Sequence, residues 1–371
     1  MLAGASNLTC AMVTIPKNIQ ELVSYKPGKP IYQIVEELGL KEWAVLWNNE
    51  NNLGPSPRVL ERINEFAITS HLYPDPASTQ LCSSIAALNN CDIDQVTVDN
   101  GSESVFDCML RAFFEQHDEL LTCDGTFVAV YIWAKSNNVP TKRFPLNEQY
   151  GFDIQKLIDS VTDKTKAVYV ANPNNPTGAM ISQTELTHLV DSVADDVLII
   201  VDEAYYEYAQ ALSEDYPDSF AMRRPNVVTL RTFSKAYGIA GIRLGYALGD
   251  ARLIEAIRKV KMTFAPSNLA QAAGMAALED RNHMLKAVEL NTRALQLYYS
   301  ALSDARIDYV RSYGNFVMLD LETEVAAKQF TDDMMKKGVF IRHLRAFGLP
   351  HCVRVSTGLD KEDELFVRAL H

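Results

Sequence analysis

Two short runs do most to limit the possible architecture. "AVYV" (residues 167 to 170) and "VLIIV" (residues 197 to 201) are apolar at every position, not at alternate ones. A strand with one wet face alternates; a strand covered on both faces does not. Around them lie further short runs, "QVTV", "ELLTC", "NVVTLRTFS" and "RLGYALG", separated by helix-like stretches such as "SESVFDCMLRAFFEQ" and "SQTELTHLVDSVA". Strand and helix patterns in alternation specify βαβ units, so the expected fold is α/β, a mostly parallel sheet with helices on both faces. After about residue 265 the texture changes. One long amphipathic stretch, "RNHMLKAVELNTRALQLYYSALSDA", is followed by "NFVMLDL", a helix pattern at "EVAAKQFTDDMMKKG", then "VFIRHL", "CVRVST" and a last helix from Lys361. This suits a smaller α+β domain, which the first 51 residues are expected to join. The expected division is therefore 52–264 for the large domain, with 1–51 and 265–371 forming the small one. "NNLGPSP" is read as the crossover, because its glycine and prolines punctuate the chain.

The chain has 371 residues and a formal net charge of -12. With no Lys/Arg-rich run, that balance argues against a nucleic-acid partner. Six cysteines occur, none in a C-x-x-C pair and none with histidines at zinc-ligand spacing. They are read as free thiols, with no metal, in a cytoplasmic protein. "MLAGASNLTCAMVTIP" lacks the basic start of a signal peptide, and no run reaches the ~18 apolar residues of a membrane span.

In an open α/β sheet, ligands sit beyond the carboxyl ends of the strands. Three strand patterns here end in chemistry: "KAVYVANPNNPTG" in Asn175, "VLIIVDEAYYEY" in Asp202 and Tyr205, and "NVVTLRTFSK" in Thr232, Ser234 and Lys235, with Arg243 shortly after. A lysine taken alone is a surface residue. A lysine placed with this company suits a phosphorylated pyridine aldehyde. Such a cofactor needs an amine to condense with, an acid facing its ring nitrogen, donors for its ring oxygen, and hydroxyls with an arginine for its phosphate. "DNGSESVFDCML" adds a helix start at Gly101, Ser102 and Glu103, where backbone N–H groups favour an anion, and Phe127 offers an aromatic face. Glycines 238, 241 and 245 do not have dinucleotide-loop spacing.

Taken together, "NPNNPTG", "DEAYYEY" and "SKAYGIAGIRLGY", with "YKPGKPI", "NENNLGPSP", "YPDP" and "GLPHCVRVSTG", resemble the fold-type-I pyridoxal-phosphate aminotransferases, and among them the histidinol-phosphate aminotransferase group. The resemblance runs from residue 25 to residue 358. It implies a pyridoxal 5'-phosphate cofactor joined to Lys235 as a Schiff base, with Asp202 at the pyridine nitrogen and Asn175 and Tyr205 at the ring oxygen. It implies a phosphate cup of Ser102, Glu103 (chiefly through its backbone), Thr232, Ser234 and Arg243. Tyr73 resembles the tyrosine that reaches the phosphate of a neighbouring subunit, which implies a homodimer with shared active sites. Arg354, Arg342 and Tyr25 match positions that read substrate anions, and Asn51 is placed at the pocket edge. The implied reaction is ping-pong transamination between a small amino donor, histidinol phosphate first, and 2-oxoglutarate. The sequence departs from the group at Asn52, where proline is usual, at the bulky "LWN" (residues 46 to 48), and at Arg345, a third arginine near the anion pocket. Those departures keep open an aromatic or other amino-acid aminotransferase, or a phosphothreonine decarboxylase.

Overall fold

The computed structural model describes residues 13–24 and 29–371; Tyr25 lies outside them. Thirteen strands occur among the described residues: β1 (Ala44–Val45), β2 (Val96–Asp99), β3 (Glu119–Cys123), β4 (Thr141–Phe144), β5 (Thr165–Ala171), β6 (Leu198–Asp202), β7 (Val227–Thr232), β8 (Gly245–Leu248), β9 (Asp308–Val310), β10 (Phe316–Asp320), β11 (Val339–Phe340), β12 (Arg342–His343) and β13 (Cys352–Ser356). Seven of them form one sheet in the order β2-β8-β7-β6-β5-β3-β4. It is parallel except at β8, which runs antiparallel to both neighbours.

The two continuously apolar runs lie at the centre of this sheet, as β5 and β6. Alternate residues feed opposite cores. Ala167, Tyr169 and Ile200 pack against helices Ser102–Phe113, Val128–Ser136 and Ala251–Val260. Val168, Val170, Ile199 and Val201 pack against helices Ile154–Asp159 and Gln183–Ser192. Burial on both faces explains why neither strand alternates. The second of these helices starts where its sequence says it should: Ser182 Oγ accepts from Glu185 N–H, and the Glu185 carboxylate accepts from Ser182 N–H.

A second, antiparallel sheet runs β12-β13-β10-β9, and β1 pairs with β11 alone. The segment "VFIRHL", read as one strand, is divided at Ile341 between two sheets. The core of this region combines Ala44 and Leu46 with residues from Leu295 to Ala369, so early and late parts of the chain share it. The long amphipathic stretch forms one helix, Arg281–Asp304. In "NNLGPSP", Ser56 Oγ accepts from Val59 N–H and Pro57 occupies the first turn, so helix Pro57–Ala67 begins there.

Candidate active site

The ends of β5, β6 and β7 bring their polar residues to one cleft of about 240 Å³. Lys235, Asp202, Tyr205, Asn175, Thr232, Ser234, Arg243, Ser102, Glu103 and Phe127 all line it. Residues far apart in sequence meet because parallel strands deliver their carboxyl ends to one edge.

At one end the cleft is a cradle for an anion. No side chain caps helix Ser102–Phe113 at Gly101, so its first N–H groups and its dipole face the cleft. Arg243, at φ 57, sits in the left-handed region, and its Nη1 donates to Ser234 Oγ at 3.3 Å. Thr232 Oγ1 bonds to Ser234 Oγ at 3.0 Å. Two glycines shape the cradle, Gly245 where backbones meet and Gly101 at a positive φ of 91. A Cβ at Gly245 would lie 2.1 Å from Ser102 N, and one at Gly101 would lie 2.8 Å from Arg243 Nη2. Both positions require glycine for the cradle to close.

Further along, the donors and acceptors are arranged with spare capacity toward the cleft. Asn49 Nδ2 donates to Tyr205 Oη at 2.8 Å, which leaves the phenol O–H free to donate. Arg354 Nη1 donates to Asn175 Oδ1 at 2.5 Å, which leaves the Asn175 amide N–H groups free. Tyr169 Oη donates to Asp202 Oδ2 at 2.8 Å and Ala204 N–H donates to Oδ1 at 3.1 Å. Each carboxylate oxygen keeps a lone pair for a further donor.

Burial sets the charges. It raises the Asp202 carboxyl to about 6, against the opposing hydrogen bonds from Tyr169 and Ala204. It lowers the Lys235 ammonium to about 8, helped by the Arg354 and Arg243 charges. Burial also brings Arg354 down to about 10, and its Nε is buried without a partner among the described residues. Lys235 Nζ donates to the Asn49 carbonyl at 3.1 Å. A buried acid short of a cation, beside a half-buried amine close to neutrality, is a common signature of a reactive site.

Arg342 and Arg354 face each other across the β12–β13 pair, and directly opposed residues point to the same side of a sheet. Arg354 Nη2 donates to the Trp47 carbonyl at 2.8 Å and Arg342 Nη2 to Asn48 Oδ1 at 2.6 Å. Two expected positions fall elsewhere. Asn51 does not line the cleft: its Nδ2 donates to the Ala236 carbonyl at 3.0 Å, while its neighbours Asn48 and Glu50 do line it. Arg345 turns to Glu324 at 3.3 Å on the surface and adds nothing to the anion pocket. Tyr73 is 80% exposed, is not among the residues lining this chain's cleft, and stacks on Phe264 with ring centroids 4.2 Å apart.

Sequence reasoning missed Tyr169, Asn49 and Asn48. Tyr169 carried a signal: a tyrosine in an otherwise aliphatic buried strand must find a partner for its hydroxyl. The asparagines carried none, since their partners lie about 150 residues or more away in sequence.

Comparison with known proteins agrees with this geometry. Residues 41–370 match the family model for aminotransferase class I and II. The chain is 37% identical over 361 residues to a histidinol-phosphate aminotransferase of Anaeromyxobacter sp., covering 97% of this chain and 98% of that one. It is 34% identical over 358 residues to one of Akkermansia muciniphila, covering 95% and 97%. Among solved structures, histidinol-phosphate aminotransferase from Sinorhizobium meliloti in complex with pyridoxal-5'-phosphate superposes with a TM-score of 0.87 at 27% identity, over 97% of each chain.

Proposed function

This chain belongs to the class I and II aminotransferases, and from that membership we propose that it transfers the amino group of histidinol phosphate to 2-oxoglutarate with pyridoxal 5'-phosphate held in the cleft. The observation that carries the proposal is the meeting, in one cleft, of an anion cradle, a buried acid with no cation at hydrogen-bond distance and a half-buried lysine, with two register-paired arginines bonded to Asn175 and Asn48 of its lining.

The residues fit the cofactor. The cradle of Ser102, Glu103, Thr232, Ser234 and Arg243 suits a phosphate, which Tyr73 of a second copy would complete. Tyr205 and Asn175 present free donors for an anionic ring oxygen, Asp202 faces a ring N–H, and Phe127 gives the ring a flat wall. When bound, the cofactor supplies a carbonyl that condenses with amines and a ring that takes up electrons from the adjoining carbon. The protein does the rest. Lys235 Nζ, lowered to about 8, takes the donor's Cα proton as general base near neutral pH. Asp202 stays ionised once a cation faces it, since an opposite charge favours the carboxylate. Arg354 and Arg342 orient the substrate's anionic group through geometry that lysine would not reproduce. Asn48 lines the cleft at this end.

We also propose that the working form is a cytoplasmic homodimer. Tyr73, Ile68 and Met262 are 73–80% exposed, an apolar surface that a second copy would bury. Residues 52–264 would act as one lobe, and 1–51 with 265–371 as the other.

The test compares kcat/KM for histidinol phosphate, histidinol, phenylalanine and O-phosphothreonine in wild type and Arg342→Ala. Histidinol phosphate should be the best donor, and the truncation should cost it about 2–5 kcal/mol and phenylalanine far less. Preference for phenylalanine, or an equal loss for all four donors, would reject the histidinol-phosphate reading.

A further inference from the structure

Behind the cleft lies a second cavity, of about 510 Å³, that the reaction above does not use. The two share a wall. The end of β6 and the segment after it send Asp202 and Tyr205 forward into the cleft and Tyr206 and Glu207 backward into the cavity; β7 likewise sends Thr232 forward and Arg231 back. The polar groups at the back are unequal. Arg231 is fully engaged, with Glu203 and Asp218 each at 2.8 Å. Arg223 donates to the carbonyls of Asn89 and Asn90. Glu207 is half-buried on helix Tyr206–Leu212, and among the described residues no other residue hydrogen-bonds or ion-pairs with its carboxylate. Its charge bears on the Tyr237 phenol, which also lines the cavity and makes no hydrogen bond among the described residues. Burial holds the Glu207 carboxyl up, at about 7, against the opposing pull of its own backbone N–H and of the Arg231 charge, which is itself paired to Glu203 and Asp218.

Beside the polar Asn89, Asn90, Gln210 and Tyr246, one side of the lining is apolar: Phe220, Leu278, Met284 and Val288, with Leu88 and Leu285 about half exposed at the mouth. Arg281 stands exposed at the same rim. It excludes a ligand that carries its positive charge outward. The cavity is also removed from the surface around Tyr73. Helices Thr79–Leu88 and Asn268–Glu279 begin near that surface and end at the cavity, and helices of this length span about 15–18 Å.

We propose that this cavity is a second ligand site, which takes a small organic cation, an ammonium or imidazolium on an apolar body, with the cation paired to Glu207 and the body against Leu278, Leu285 and Val288. A carboxylate with an unused lone pair, next to a phenol and facing an apolar wall, suits a cation with an N–H to donate. The ligand would touch both helix Arg281–Asp304 and the segment that carries Asp202 and Tyr205. It would therefore act as an effector of the cleft, not as a substrate.

The probe is N,N-dimethylbenzylamine. As a tertiary amine it carries one N–H when protonated and cannot condense with a carbonyl, so it does not report on the front cleft. Calorimetric titration of the cofactor-loaded enzyme near pH 8 should show saturable binding of one probe per chain. Glu207→Gln should weaken it at least tenfold while leaving turnover of the amino donor unchanged in the absence of probe. Leu285→Arg, a change on an exposed helix surface, should weaken it severalfold by adding a cation at the mouth, and serves if Glu207→Gln does not fold. Equal affinity in Glu207→Gln, no saturable binding at all (a cavity filled by water only), or tighter binding of phenylacetate than of the amine would each overturn the proposal.

Discussion

Asp202 and Glu203 are adjacent, both buried, and both at the end of β6, yet they behave as opposites. Glu203 turns to the back. Its Oε2 accepts from Arg231 Nε at 2.9 Å and Nη2 at 2.8 Å, and its Oε1 accepts from Ser219 N–H at 2.8 Å. Burial by itself would lower the Arg231 pKa; Glu203 outweighs it, and the guanidinium stays charged well above its ordinary value. Asp202 turns to the front. It has two neutral donors and no cation at hydrogen-bond distance, so burial holds its carboxyl up, at about 6. One acid is complete within the chain. The other is complete only when something cationic enters the cleft. The difference separates an acid that holds the fold from one that the fold keeps ready at its own expense.

That contrast can be broken by substitution. The largest effect should come from the amine that shares the front cleft. Lys235→Ala should lower turnover by about 10⁴-fold or more, since it removes the general base and the amine that condenses with the cofactor. It should still take up pyridoxal phosphate through the cradle, as equilibrium dialysis would show. Glu203→Gln should destabilise the protein by about 3 kcal/mol in denaturant titration, because Arg231 is left buried with only Asp218 beside it; the folded fraction should keep most of its activity. Asp202→Asn should do the reverse. It should cost at least ~10²-fold in kcat, the scale of a lost electrostatic partner in the transition state, and it should stabilise the cofactor-free enzyme.

A pH titration sharpens the same comparison. The folded pKa of Asp202 lies above its unfolded value, so the native state binds more protons between about 3.8 and about 6. Stability of the cofactor-free protein should therefore fall as pH rises through that window. The Asp202 contribution to this fall should vanish in Asp202→Asn. It should shrink when cofactor is bound, because a cation at the carboxylate offsets the burial. The smallest effect should be that of Tyr169→Phe, which removes one donor to the carboxylate. Cofactor affinity should drop by about tenfold, and the Asp202 titration should move further up. No change in either would mean that Tyr169 only fills space.

Much of this was legible in the sequence, for definite reasons. Unbroken apolar runs marked β5 and β6, and strand ends in a parallel sheet meet at one edge, so Asn175, Asp202, Thr232, Ser234 and Lys235 could be grouped before any coordinates. Arg342 and Arg354 were legible through the family resemblance, and the β12–β13 register sets them opposite each other. What periodicity cannot supply is the identity of distant partners. The Asn49–Tyr205, Asn48–Arg342 and Tyr169–Asp202 bonds join segments that local pattern treats separately. Arg345 illustrates the opposite error. It is close in sequence to the anion pocket, but the chain turns just after β12, and the side chain points to Glu324 on the surface.

The most direct test of the account is covalent. The purified enzyme, loaded with pyridoxal phosphate, should show a visible absorbance band that borohydride removes, and peptide mass spectrometry of the reduced protein should find the cofactor on Lys235 and on no other lysine. A band that borohydride leaves intact, or an adduct on a different lysine, would contradict the assignment of Lys235 and with it the reading of the front cleft.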